Sequence, residues 1–235
     1  LTYFEDVSTE GTISHEDIGA YAAADAKTFI VDTSTGERVP HWVEMDGTAK
    51  TAEESLFILR PAIALNHATR YVVGIRGLEK NSGGAVDSSE AFLALRNDVE
   101  TTNWDIEGRR SHFDKDVFPF IVGQGVAREE LQLAWDFTTA SRENSVGRME
   151  WMRDDALVRF GASGPPYVIT SVEEKDCSTG ATMYKSIEGT FTAPLYTDID
   201  GPGSVLTQGD DGLPYYNGDT EVKFVARIPC SLKNE

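Results

Sequence analysis

Between Thr28 and Arg96 the chain is written in short apolar runs separated by turn residues, at roughly ten-residue spacing. Runs this short have the length of strands, and the Gly, Pro and Asn between them force reversals, so this segment must build sheets. Thr28-Phe29-Ile30-Val31-Asp32 is rich in β-branched and aromatic residues. Thr33 to Glu37 reads as a hairpin turn with Gly36 at the tight position, and Arg38 to Met45 returns as a strand. Ser55 to Leu59 is a further strand, ended at Arg60-Pro61 because proline has no N–H to donate. Leu65 to Thr69 is a turn. Arg70 to Leu78 is the strongest strand signal, with Tyr71, Val73 and Ile75 on one face. Asn81 to Gly84 turns the chain again, and Ser89 to Arg96 is expected to close a β-sandwich spanning residues 1–96.

The periodicity changes near Asn97. Ser111 is a candidate N-cap, and Phe113, Val117, Phe120 and Ile121 follow at helical spacing. Pro119 should shorten or kink that helix, and Gly123 and Gly125 should end it. Leu131, Leu133, Trp135 and Phe137 alternate as one face of a strand. Val146, Met149, Met152, Ala156 and Phe160 form an apolar stripe on a second helix over Asn144 to Phe160. Tyr167–Glu173, Ile187–Tyr196 and Val222–Ile228 are strand candidates. The Gly- and Pro-rich stretch Thr197 to Thr220 should be a long loop. The expected second domain, residues 97–235, is α+β with two helices on a small sheet.

Charge narrows the partners. Asp and Glu total 39 against 21 Lys and Arg, a net charge of −18, which opposes binding to nucleic acid or to anionic lipid. Apolar residues are 40% of the chain, enough for real cores, yet no apolar run approaches the ~20 residues of a membrane span. No basic region leading into an apolar stretch follows Leu1, as expected where a signal peptide has been removed or the chain is cut from a longer one, and the last strand lies close to Glu235, the pattern expected of a cut at a domain boundary. Cys177 and Cys230 both flank predicted strands of the second half. A disulfide between them would fit export; two unpaired thiols are the equal alternative. No CxxC or clustered His accompanies them, so zinc is not indicated.

Leu59-Arg60-Pro61 through Leu65, followed by Arg70-Tyr71-Val72-Val73-Gly74-Ile75-Arg76-Gly77-Leu78, with Gly83-Gly84 and Phe92, resembles bacterial Ig-like domains of the S-layer (SbsA) type. The resemblance covers roughly residues 1–96. It implies an Ig-like β-sandwich, a mainly β chain, and a spacer or adhesive role. The remainder resembles the pre-catalytic region of large secreted bacterial α/β-hydrolase or lipase-like proteins. The residues that carry this are Leu133 to Ser141 (LAWDFTTAS), Gly189 to Leu195 (GTFxxPL), Asp211 to Gly218 (DGxPxxNG) and Phe224 to Pro229 (FxxxIP). That region holds no nucleophile, so the resemblance carries over no catalytic residue.

The chemistry-bearing residues agree. An α/β-hydrolase needs its Ser on a strand-to-helix elbow within GxSxG; Gly161-Ala162-Ser163-Gly164-Pro165 misplaces the last Gly and reads as a helix C-terminal turn. His15, His41, His67 and His112 form no close metal pair. Asp198, Asp200, Asp210 and Asp211, among glycines, offer hard oxygens for calcium, but the full loop pattern is missing and Asp-Gly is also the common turn dipeptide. Tyr215-Tyr216 can stack on a partner, Trp104 and Tyr3 lie near predicted boundaries, and Arg109-Arg110 reads as a helix-surface pair. No nucleotide loop is present, so no organic cofactor is expected. The expected function is a non-catalytic accessory or interaction region of a secreted or cell-envelope hydrolase-like protein. Its partners would be its own downstream domain or copies of itself. A self-associating structural subunit is the alternative, and a stand-alone esterase the third.

Overall fold

The computed structural model describes residues 1–51 and 54–233; the polar end at Glu235 lies outside the described residues. The chain divides into Leu1–Ser141 and Arg142–Glu235.

The first unit contains β1 (Thr28–Asp32), β2 (His41–Met45), β3 (Phe57–Pro61), β4 (Arg70–Arg76), α1 (Glu90–Arg96), α2 (Trp104–His112), α3 (Phe118–Val122) and β5 (Leu131–Thr138). Two antiparallel sheets form, a three-stranded one ordered β1-β4-β5 and a two-stranded one, β2-β3. The turn after β1 is as expected: Gly36 has φ +75°, and its N–H donates to the Asp32 carbonyl at 2.8 Å. The return strand then changes sheets. Val39 donates to Ile30 at 2.7 Å, but beyond Pro40 the chain pairs with β3, His41 opposite Pro61. Proline interrupts the first ladder and lets one strand serve both layers.

The β2-β3 sheet covers one face of the larger sheet, with Val43 and Phe57 packed with Ile75, Leu133 and Trp135. The helices cover the other, with Phe92, Val117, Phe118 and Ile121 against Phe29, Val31, Val72 and Leu131. Both faces are therefore dry, which is why all five residues of β1 are buried. The expectation of a mainly β chain is corrected: the architecture is mixed α+β, and helices supply one covering layer.

Residues 89–96 are the clearest reason. Expected as a closing strand, they form α1 instead. The Ser89 hydroxyl accepts from the Phe92 N–H at 3.2 Å, Glu90 sits in the first turn and Arg96 in the last. Capping and dipole complementarity outweigh a short apolar run that fits either element. The next helix starts at the N-cap Asn103, not Ser111. It passes through a π-helical turn at Phe113–Val117 into α3. Pro119 lies at the start of α3, where its missing N–H and bulky ring disturb the turn before it. The unit boundary falls after Ser141 rather than near residue 96, because β5 completes the first sheet, Trp135 opposite Val73.

The second unit contains α4 (Arg148–Phe160), β6 (Tyr167–Glu174), β7 (Met183–Pro194) and β8 (Asp219–Pro229). The three strands form an antiparallel meander, β6-β7-β8. Residues 195–218, between β7 and β8, are the expected long irregular loop.

Candidate functional site

The β6-β7-β8 sheet has two different faces. Pairing of Tyr167 with Phe191, Ile169 with Gly189 and Val172 with Ile187 puts these side chains on one side. Val222, Phe224 and Ala226 join them from β8. The opposite side carries Ser171, Glu173, Glu188, Glu221, Lys223 and Arg227, with Val168 and Val225 exposed among them. A sheet patterned this way is built to cover its apolar side. Yet only Gly189, Tyr196, Thr207 and Pro214 are buried among the described residues of this unit. Tyr167 is 68% exposed, Ile169 50% and Val172 54%. Phe224 instead folds over Gly189, where an added Cβ would lie 2.6 Å from the ring and 2.4 Å from the Val168 carbonyl oxygen. The ring thus takes the place of the missing side chain.

A disulfide joins Cys177 to Cys230, with the Cα atoms 5.7 Å apart. Cys177 opens the turn between β6 and β7, and Cys230 directly follows β8. The bond therefore clamps the outer strands of the meander at one end.

The long loop is held by its own hydrogen bonds. Asp198 Oδ1 accepts from the Ile199 and Val205 N–H groups at 2.9 and 3.0 Å. Asp200 Oδ2 accepts from the Thr220 hydroxyl at 2.7 Å, and Asp211 Oδ1 from the Leu213 N–H at 2.9 Å. Asp210 is exposed. The four carboxylates suggested for calcium are not gathered together, and no group of three or more His, Cys, Asp or Glu is placed to hold a metal among the described residues. Helix α4 ties to this loop through Tyr196, whose hydroxyl donates to Asp155 at 2.6 Å. Burial first, then that bond, pushes the Tyr196 phenol up to about 12. Arg159 pairs with Asp155 at 2.6 Å and lies over the Tyr216 ring at 3.8 Å, so Tyr216 is a packing residue while Tyr215 stays half exposed.

The other sequence candidates are structural. Ser163 lies in a short turn after α4 and before β6, a helix-to-strand passage, the reverse of a nucleophile elbow. His41 is fully buried: its Nε2 meets the Thr28 hydroxyl at 3.0 Å and its Nδ1 the Val39 carbonyl at 2.9 Å. Burial pushes its pKa down, and the neutral ring satisfies both contacts. Arg110 ties down the α1–α2 corner through Glu107, Asp98 and the Val99 carbonyl, and holds the Glu107 carboxyl down at about 2. Trp104 is 84% exposed at the start of α2.

One cluster escapes the sequence. His112 Nε2 meets Asp136 Oδ1 at 2.9 Å and its Nδ1 meets Asp116 Oδ2 at 3.3 Å. Arg70 reaches Asp136 at 3.4 Å and the Asp116 carbonyl at 3.0 Å. His112 and Asp116 meet at i,i+4 spacing on the helical stretch, and the β4-β5 pairing brings in Arg70 and Asp136, separations from His112 that no local pattern encodes. In a nucleophilic triad one ring nitrogen faces the nucleophile. Here both face carboxylates, so the cluster is a charge latch.

The latch has a pH signature. The Asp136 bond, ahead of the nearby Asp136 and Asp116 charges, raises the His112 pKa. The folded value then lies above the unfolded ~6.5, so this stabilisation is full below about pH 6.5 and is lost as pH rises through the folded value. The ring is 46% exposed, so screening keeps the gain below about 1 kcal/mol. Denaturant midpoints of the first unit should fall across that window, and His112→Gln should flatten the fall. An unchanged profile in the variant would remove His112 as its origin.

No family model matches this chain, and neither a curated protein nor a solved structure matches it. No helix among the described residues is long and apolar enough to cross a membrane.

Proposed function

We propose that this chain is a non-catalytic accessory and interaction region of a secreted or envelope protein of hydrolase-like kind. The first unit serves as the spacer, its two facing sheets forming a reduced Ig-like sandwich. The second unit is the interacting part. The observation that carries the reading is the amphipathic β6-β7-β8 sheet, whose apolar face buries none of its larger side chains. A face of that composition is what a protein partner covers. The disulfide supports an oxidising compartment. The placement of Ser163, and of His112 between two carboxylates, supports a role without covalent chemistry.

The test is turnover. The purified chain should hydrolyse no small ester such as p-nitrophenyl butyrate; hydrolysis abolished by Ser163→Ala or His112→Ala would overturn the reading. The exposed face makes a second expectation. The native chain should bind an apolar dye, and Ile169→Lys with Val172→Lys should abolish that binding with little change in stability, since both side chains already meet water. Intact mass in the natural source then locates the partner. A species far above 25.8 kDa places it in the same polypeptide, and one at 25.8 kDa makes it a separate chain.

A further inference from the structure

We infer that β8 is a self-complementary edge that pairs antiparallel with β8 of a second copy of this chain, joining two meanders into one six-stranded sheet. β8 ends its sheet, and its eleven residues pair with β7 while its other side has no neighbouring strand among the described residues. The one register shift in its ladder falls on β7, between Met183 and Lys185, so β8 itself runs without a skipped residue, whereas the opposite edge, β6, carries an irregularity between Ile169 and Ser171.

The residue order selects a register. When two β8 strands pair along their whole length, Phe224 falls opposite itself. Glu221 then falls opposite Arg227 of the second copy, twice by symmetry, and Lys223 opposite Val225. On the apolar side Val222 meets Ala226, so the apolar face runs unbroken across both copies. Neighbouring registers are penalised. A shift of one residue sets the apolar face of one copy beside the polar face of the other. A shift of two, in one direction, sets Lys223 against Lys223; in the other, it sets Lys223 against Arg227. Lysine on an edge strand usually guards against pairing. Here it guards against the neighbouring pairings and leaves the full-length one open. A closed two-fold contact also ends at a dimer instead of growing into a fibre. The inference deepens the interaction reading above, because the doubled sheet presents a doubled apolar face.

Sedimentation equilibrium of the full chain over a wide concentration range tests it. The wild type should show a monomer–dimer equilibrium that weakens with salt. Arg227→Glu sets Glu221 against a carboxylate twice, and Glu221→Arg sets Arg227 against a guanidinium twice. Each variant alone should dimerise about ten-fold more weakly or worse. Mixed in equal amounts, the two should pair with each other about as well as the wild type pairs with itself, because each restores the other's opposite charge. Both positions are exposed, so the monomer fold should persist, and circular dichroism checks that it does. A wild type that stays monomeric up to about 1 mM overturns the proposal. Variants that dimerise like the wild type, or fail to associate when mixed, overturn the β8 register. Ester turnover would end the non-catalytic reading and leave the dimer standing; a strict monomer would do the reverse.

Discussion

Removing the Cys177–Cys230 bond, by reduction or by replacing both residues with serine, should cost the second unit about 4 kcal/mol. The chain-entropy model sets that size for a loop closed across a sequence separation of 53 residues. The loss should be severe in consequence, because this unit has so little interior. Among the described residues its buried ones are a glycine, a tyrosine, a threonine and a proline, against three apolar clusters in the first unit. Hydrogen exchange with and without reductant measures it. Amides of β6, β7 and β8 should lose protection while those of β1, β4 and β5 keep theirs. Equal protection in both states would show that the sheet holds without its clamp.

Phe29→Ala should destabilise the first unit by about 4 kcal/mol. Phe29 is fully buried in the cluster that joins the β1-β4-β5 sheet to the helices. Its ring also occupies the place of the side chain that Gly74 lacks on the neighbouring strand. A Cβ at Gly74 would lie 2.3 Å from the ring. Gly74→Ala should therefore cost about 1–3 kcal/mol by overpacking in the wild type. It should cost much less in the Phe29→Ala background, where the space is vacant. Chemical denaturation of the four chains closes this cycle. Strict additivity would show that the ring and the glycine do not depend on each other.

The strands at Thr28, Arg70, Leu131 and Tyr167 were legible because alternation and β-branched residues are local signals. α1 is ambiguous in sequence because its run of five Ala, Phe and Leu residues suits a strand as well as a helix; the Ser89 cap is the signal that decides it. The division after Ser141 is hidden in sequence for a different reason. β5 looks like the start of something new in sequence, but it pairs with β4 across a long helical insertion. The charge latch around His112 was invisible on the same grounds, since Arg70 and Asp136 meet only after that pairing. The cysteines were legible as candidates, and their pairing was decided by the meander that brings the end of β8 beside the β6–β7 turn.

Composition and local pattern by themselves determined an acidic chain, with strands in both halves, a long glycine-rich loop, and no nucleophile or nucleotide motif in working order. Those properties follow from residue type and short-range periodicity, which act over a few residues. Tertiary structure alone decided which apolar faces are covered. Alternation marks a face as apolar in β4 and in β6 alike, yet β4 lies between two layers while β6 meets water. Burial depends on what else the chain brings to that face, and that is a long-range property no single segment records.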